Sequence, residues 1–199
     1  LALREDGSVV SWGRNDLGQT SVPDLPLPAT QVAAGFSHAL VRLTDGSVRG
    51  WGRNDFGQAT PPTGLHDVIS VDAGFDHSVA LRADGTVVAW GANAFGQSRP
   101  PEALGRVQAI AAGADHTLAL LEDGRVVGWG NNEDSQANPP SDLRDVVAID
   151  AAYHRSMAWT ASGQVVVWGA DSQRVQEELN ALMPHPVRVD GRLPHRGPH

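Results

Sequence analysis

The chain of 199 residues contains no cysteine and no lysine, a single tyrosine, and only two methionines, Met157 and Met183. Without cysteine there is neither a disulfide framework nor a thiolate metal site, so the fold must rest on its core. A domain of this size buries about 70% of its extended-chain surface, which is enough. All fifteen basic residues are arginine, set against 23 acidic ones, and the net charge of -8 argues against a protein that tracks nucleic-acid phosphates. No apolar run approaches the roughly 18 residues of a membrane span, and Arg4 puts a charge where a signal peptide would be apolar. With Leu1 first, the chain reads as processed or as a piece of something longer. Composition leaves the compartment open between secreted and cytoplasmic.

What is present is a period. Trp-Gly pairs begin at Trp12, Trp51, Trp90, Trp129 and Trp168, every interval being 39 residues. Gly7, Gly46, Gly85, Gly124 and Gly163 keep the same step, as do Asn15, Asn54, Asn93 and Asn132. So do Gln19, Gln58, Gln97 and Gln136, then Gly35, Gly74 and Gly113, then His38, His77 and His116. A fixed period of this length marks a tandem array. Four units are complete and a fifth begins.

One unit, from Asp67, reads DVISVDAGFDHSVALRADGTVVAWGANAFGQSRPPEALGR. DVISVDA, SVALRA and TVVAW are short, rich in valine and alternate apolar with small or polar residues, the pattern of strands. Asp84-Gly85 between two of them predicts a type I′ hairpin. Pro100 and Pro101 block both helix and ladder, so the residues after Trp90-Gly91 form a loop. Sheets this small cannot bury both faces alone, and radial stacking into a β-propeller solves that problem. The expected fold is therefore all-β, a propeller of 39-residue repeats over residues 1–173, followed by a degenerate segment, 174–199. Gln173–Met183 predicts a short helix ended by Pro184, and 189–199 a flexible tail. Leu1 enters in the second strand of a unit, and Gly191 keeps register with Gly113 while Arg192, Leu193 and Pro194 break the pattern. An open arc is expected rather than a closed five-bladed ring, with association possible through its terminal blades.

The motif series AGFDHSVALRADGTVVAWGANAFGQ resembles the repeat of the regulator-of-chromosome-condensation family. Its compact unit with Pro-Pro after Gly-Gln is more similar to the bacterial branch of the β-lactamase inhibitory protein II type. The resemblance implies a seven-bladed propeller used as a binding platform, of which this chain would be an arc. It also implies that aromatic residues in loops on one face grip the partner. Phe36, Phe75 and Tyr153 stand at matching positions, with Ala114 between the last two. In the loop after Trp-Gly the units carry Asp16, Asp55, Ala94 and Glu133, so Asp16, Asp55 and Glu133 are read as an acidic rim.

The remaining residues read as structural. His38, His77 and His116 are set a blade apart, whereas zinc needs its ligands about 2 Å from one point, so no metal is expected. Each repeat tryptophan is expected in the core, worth about 4 to 6 kcal/mol of apolar transfer. The aspartates Asp6, Asp45, Asp84 and Asp123 are explained by turns. No catalytic motif or cofactor loop is present. The reading is a non-enzymatic module that binds a protein, and neither nucleic acid nor membrane. The alternatives are an inhibitor of a β-lactamase-like enzyme, a nucleotide exchange factor for a small GTPase, and a glycan-active enzyme or lectin.

Overall fold

The computed structural model describes residues 1–182. Among them, strands β1 (Ala2–Leu3) and β2 (Val9–Val10) form a two-stranded sheet. Four three-stranded antiparallel blades follow. They are β3 (Ala29–Ala34), β4 (His38–Leu43) and β5 (Val48–Gly52), then β6 (Val68–Ala73), β7 (His77–Arg82) and β8 (Val87–Gly91). The next are β9 (Val107–Ala112), β10 (His116–Leu121) and β11 (Val126–Gly130), then β12 (Val146–Ala152), β13 (Arg155–Thr160) and β14 (Val165–Gly169). A helix, α1 (Ser172–Leu182), ends the described chain. The fold is the all-β repeat propeller that the period predicts, with no closed sheet among the described residues.

In each blade the second strand is central and its two faces serve two junctions. On β4, Ala39, Val41 and Leu43 pack with Trp51 toward Leu1, Leu3 and Val9, while Leu40 packs the other way, with Val71, Ala80 and Trp90 of the next blade. The same division repeats on β7 and β10. First strands of successive blades lie beside one another and line the inner side of the arc. Each carries a bulge near one end, which takes one residue out of the in-out alternation. Ile69 and Val147 are left exposed at those bulges.

The hairpins differ from the expected type I′ turn. Gly85 lies in the left-handed region at φ +83°, but Asp84 does not. Gly85 N–H donates to Arg82 C=O and Arg82 N–H to Thr86 C=O, the pattern of a three-residue loop with glycine in the bulge. Asp84 serves through its side chain instead, accepting from the backbone N–H and hydroxyl of Thr86. Gly85 C=O then accepts from Val107 N–H, so each hairpin also starts the next blade's first strand.

Tryptophan burial has one exception. Trp51, Trp90, Trp129 and Trp168 are buried, but Trp12 is 65% exposed. Each buried indole lies against the preceding blade; among the described residues no blade covers Trp12. At the other end α1 replaces the inter-blade loop. A Cβ on Gly50 or Gly128 would come within 2.4 Å of the loop carbonyls of Ala59 and Ala137, so these strands need glycine there. The corresponding residue of β14 is Val167. Gln176, in register with Ala59 and Ala137, satisfies that strand from the helix, accepting from Val167 N–H and donating to Val165 C=O. The expected tail, 189–199, lies outside the described residues.

Truncating a buried indole should therefore cost far more than truncating the exposed one. Trp90→Ala is expected to lose about 3–5 kcal/mol in a denaturant titration, and Trp12→Ala under about 1 kcal/mol. Equal losses would contradict the junction described for Trp12.

Candidate binding surface

The loop end of the arc is built on a polar lattice inside the blade junctions. The carbonyl of Gln58 accepts twice, from the indole Nε1 of Trp90 at 2.9 Å and from the hydroxyl of Ser78 at 2.8 Å. The oxygen of Ser78 lies 2.9 Å from His38 Nε2. Because the only hydroxyl hydrogen is committed to the carbonyl, His38 must donate, which assigns the neutral Nε2–H tautomer. The next two junctions repeat this with His77, Thr117, Gln97 and Trp129, then with His116, Ser156, Gln136 and Trp168. Burial pushes His38 and His116 down to about 4. It pushes His77 down to about 3, with the neighbouring histidines adding to the effect.

The glycine preceding each histidine by three positions is now explained. A Cβ on Gly74 would sit 2.3 Å from the His77 ring and 2.5 Å from the carbonyl of Gly113. In the last blade Arg155 replaces histidine and turns to Ala170 C=O and Asp171. The glycine position is then filled by Ala152. Among the described residues no group of three His, Cys, Asp or Glu is placed to hold a metal ion.

Above this lattice the loops after Trp-Gly are held rigid by their own side chains. Asn54 accepts from Ala59 N–H, and Gln58 accepts from Phe56 N–H while donating to Asp76. Arg53 bonds Asp55 and Asp76, and its guanidinium stands 5.7 Å from the Phe56 ring centre. Asp16 likewise pairs with Arg14. The acids at 16 and 55 are thus engaged within their own loops, whereas Glu133 is exposed and its backbone N–H is held by Asn131. Burial holds Asp115 above the ordinary carboxylate range, with His154 opposing and the charge of Asp76 adding.

Phe36, Phe75 and Tyr153 meet at the inner side of this end. Ring centres are 4.8 Å apart for Phe36 and Phe75, and 5.4 Å for Phe75 and Tyr153, which pack edge to face. Phe75 and Tyr153 come from blades that are not adjacent. Ala114, buried between them, is small enough to let the rings touch, so it closes the aromatic row instead of interrupting it. Backbone bonds fix the row: Phe36 N–H to Gly74 C=O, Phe75 N–H to Ala114 C=O, and Ala114 N–H to Tyr153 C=O. Tyr153 is held in the left-handed region at φ +51°, a strained choice for a ring-bearing residue. Even so, Phe36 is 59% exposed and Tyr153 66%.

A second apolar set went unread in the sequence. Leu17, Phe56 and Phe95 are exposed in the loops after Trp-Gly, at one register position that the fourth unit fills with Asp134. The period alone identifies them, since a large apolar residue recurring in a polar turn has no core to enter. The same end of the arc therefore carries an inner aromatic row and an outer apolar row, with Asp76, Asp115 and His154 in the loops of the inner one.

Residues 29–58, 68–97 and 107–136 match the Regulator of chromosome condensation (RCC1) repeat. The ectodomain of the Physcomitrella patens receptor kinase CR4 is similar at 22% identity and TM-score 0.69, over 81% of this chain and 46% of that one. Prp20p from Saccharomyces cerevisiae matches at 22% identity and TM-score 0.64, over 74% and 46%. Human WBSCR16 matches at 24% identity and TM-score 0.63, over 73% and 49%. At these identities the likeness is one of fold, and the chain spans about half the length of each. No curated protein matches the chain.

The buried histidines make stability depend on pH. Unfolded, each binds a proton near its ordinary pKa of 6.5; folded, His38 and His116 do so only near 4 and His77 near 3. Their contribution is complete above pH 6.5 and falls as the pH drops toward 4, by about 1.4 kcal/mol per pH unit for each histidine. Urea titrations at intervals between pH 7.5 and pH 4.5, ordinary limits for such a series, should show this loss, and a pH-independent stability would refute it.

Proposed function

We propose that this arc of RCC1 repeats is a non-enzymatic binding module that docks a protein through the loop end carrying Phe36, Phe75 and Tyr153. The observation behind the reading is an aromatic row, exposed at Phe36 and Tyr153 and half-buried at Phe75, whose backbone is already fixed, so that binding costs little ordering. Aromatic anchors surrounded by polar loops are the usual source of interface energy. Leu17, Phe56 and Phe95 widen the contact, while Asp16, Asp55 and Glu133 set its charge. Other proteins with this fold dock proteins: Prp20p is described with binding properties to Gsp1p and histones, and yeast RCC1 (Prp20) with Kap60 bound. The identity of the partner is a finer matter. Inhibition of a β-lactamase-like enzyme is the version of this reading that the compact bacterial-type repeat suggests, and a direct inhibition assay addresses it.

Phe75 touches both other rings and is the decisive position. Phe75→Ala should weaken partner binding about thirtyfold, as loss of a 2 kcal/mol anchor does, while lowering stability little. Asp55→Asn should chiefly alter association rate and salt dependence. Capture from the source lysate or secretome identifies the partner, and calorimetry on wild type and variants measures the effect. Unchanged affinity with a large drop in melting temperature would make the aromatic row packing alone.

A further inference from the structure

Arg53 is seated by residues that recur one repeat later without it. Its Nε donates to Asp55 at 2.7 Å and a terminal nitrogen to Asp76 at 3.1 Å, while the guanidinium carbon stands 5.7 Å from the centre of the Phe56 ring. Gln58 completes the seat, accepting from Phe56 N–H and donating to Asp76 at 3.0 Å. In the third unit the same frame stands: Phe95 N–H donates to Gln97, and Gln97 donates to Asp115 at 3.2 Å. The backbone agrees as well. Arg53 N–H donates to Ser37 C=O and Ala92 N–H to Asp76 C=O, and Gly57 and Gly96 lie at φ +82° and +84°. What differs is the cation, for Ala92 stands at the register of Arg53 and Ala94 at that of Asp55.

The other units change acid and base together. The first carries Ser37 at the inner register, and Arg14 turns to Asp16. The fourth carries His154 there, and Asn131, in place of the arginine, accepts the side-chain N–H of Gln136. Among the described units the third alone keeps the inner acid without its base. Asp115 makes no ion pair with any described residue, and neither does Arg99 in the loop that carries Phe95. Burial holds Asp115 above the ordinary carboxylate range; His154, which opposes this, pairs with Asp134 at 3.2 Å. Phe95 is exposed. A carboxylate beside an exposed ring suits a guanidinium, whose plane stacks on the ring while its N–H fork meets the oxygens; an ammonium offers a point charge alone.

We propose that Ala92, Phe95, Gln97 and Asp115 form a seat for an arginine side chain of the docking protein, its guanidinium lying over the Phe95 ring and donating to Asp115 as Arg53 donates to Asp76. That the arginine belongs to a protein rests on the binding role proposed above; the seat itself does not.

The full chain tests the seat and its occupant separately. Carbon-13 titration of the Asp115 carboxyl should place it above the ordinary range, and Ala92→Arg, which supplies the side chain in cis, should lower its midpoint by about one pH unit or more. Ala83→Arg puts the same charge at the opposite end of the blade and should move it by less than about 0.2 pH unit. The probe for the occupant is N-acetyl-arginine amide. It should shift the amides of Phe95 and Asp115 about threefold more in the wild type than in Ala92→Arg or Asp115→Asn, and N-acetyl-lysine amide should shift them less than about half as far. Equal shifts in all three proteins, or equal shifts from the two amides, would overturn the proposal. So would an Asp115 midpoint that Ala92→Arg leaves unmoved, or one already below the ordinary range, since a cation of this chain would then hold the place. Against a captured partner, Ala92→Arg and Asp115→Asn should each weaken binding about tenfold. If Phe75→Ala weakens it and these two do not, the partner brings no arginine to the seat and the proposal falls. If these two weaken it and Phe75→Ala does not, the aromatic row fails as the anchor and the seat stands.

Discussion

One backbone carbonyl holds each complete junction between blades. The oxygen of Gln58, Gln97 or Gln136 receives an indole N–H and a hydroxyl from the following blade, and the hydroxyl in turn receives a histidine N–H from the blade before. All of these groups are buried, and an unmade bond at any of them would leave a desolvated polar atom at a cost of about 1–3 kcal/mol. The lattice therefore fixes the spacing of neighbouring blades along with their attraction. The first junction is simpler. Ala39 stands where later blades have a hydroxyl, and among the described residues Gln19 C=O accepts from Trp51 Nε1 alone.

The loop end that carries the aromatic row follows from this constraint. The histidine ring occupies the space beside the glycine, and the glycine's tight approach to the next blade brings the following residue to the inner rim. That residue is Phe36, Phe75 or Ala114; Tyr153 holds the same register in the last blade, where Ala152 and Arg155 replace the glycine and the histidine. The lattice has no stake in its side chain, so it can vary between units while its backbone stays fixed. The loops after Trp-Gly show the same separation. Asn54 and Gln58 are consumed in holding the loop, and Asp55 and Phe56, pointing outward, are free to differ between units.

The period made most of this readable from the chain. Strands, blade order and the terminal helix are local consequences of apolar alternation, glycine and proline, and each recurs often enough to fix its register. What local reasoning missed depends on neighbours. Asp84-Gly85 suggested a two-residue turn, but Ala83 joins the loop and leaves Asp84 as a side-chain acceptor. Trp12 looks like its four counterparts and lacks only the blade that would cover it. Ala114 read as a gap in the aromatic series, because nothing in one chain's spacing says that Phe75 and Tyr153 reach across it. Leu17, Phe56 and Phe95 share a register that the period displays, but in a polar loop nothing local says whether an apolar side chain packs or faces outward.

The protonation state of the three histidines tests the central claim most directly. Nitrogen-15 chemical shifts of His38, His77 and His116 should report Nε2 protonated and Nδ1 bare at neutral pH, with no titration of these rings until the pH approaches about 4. Rings that carry the proton on Nδ1, or that titrate near the ordinary histidine value of 6.5, would mean that the hydroxyls are not committed to the glutamine carbonyls and that the junctions are held in another way.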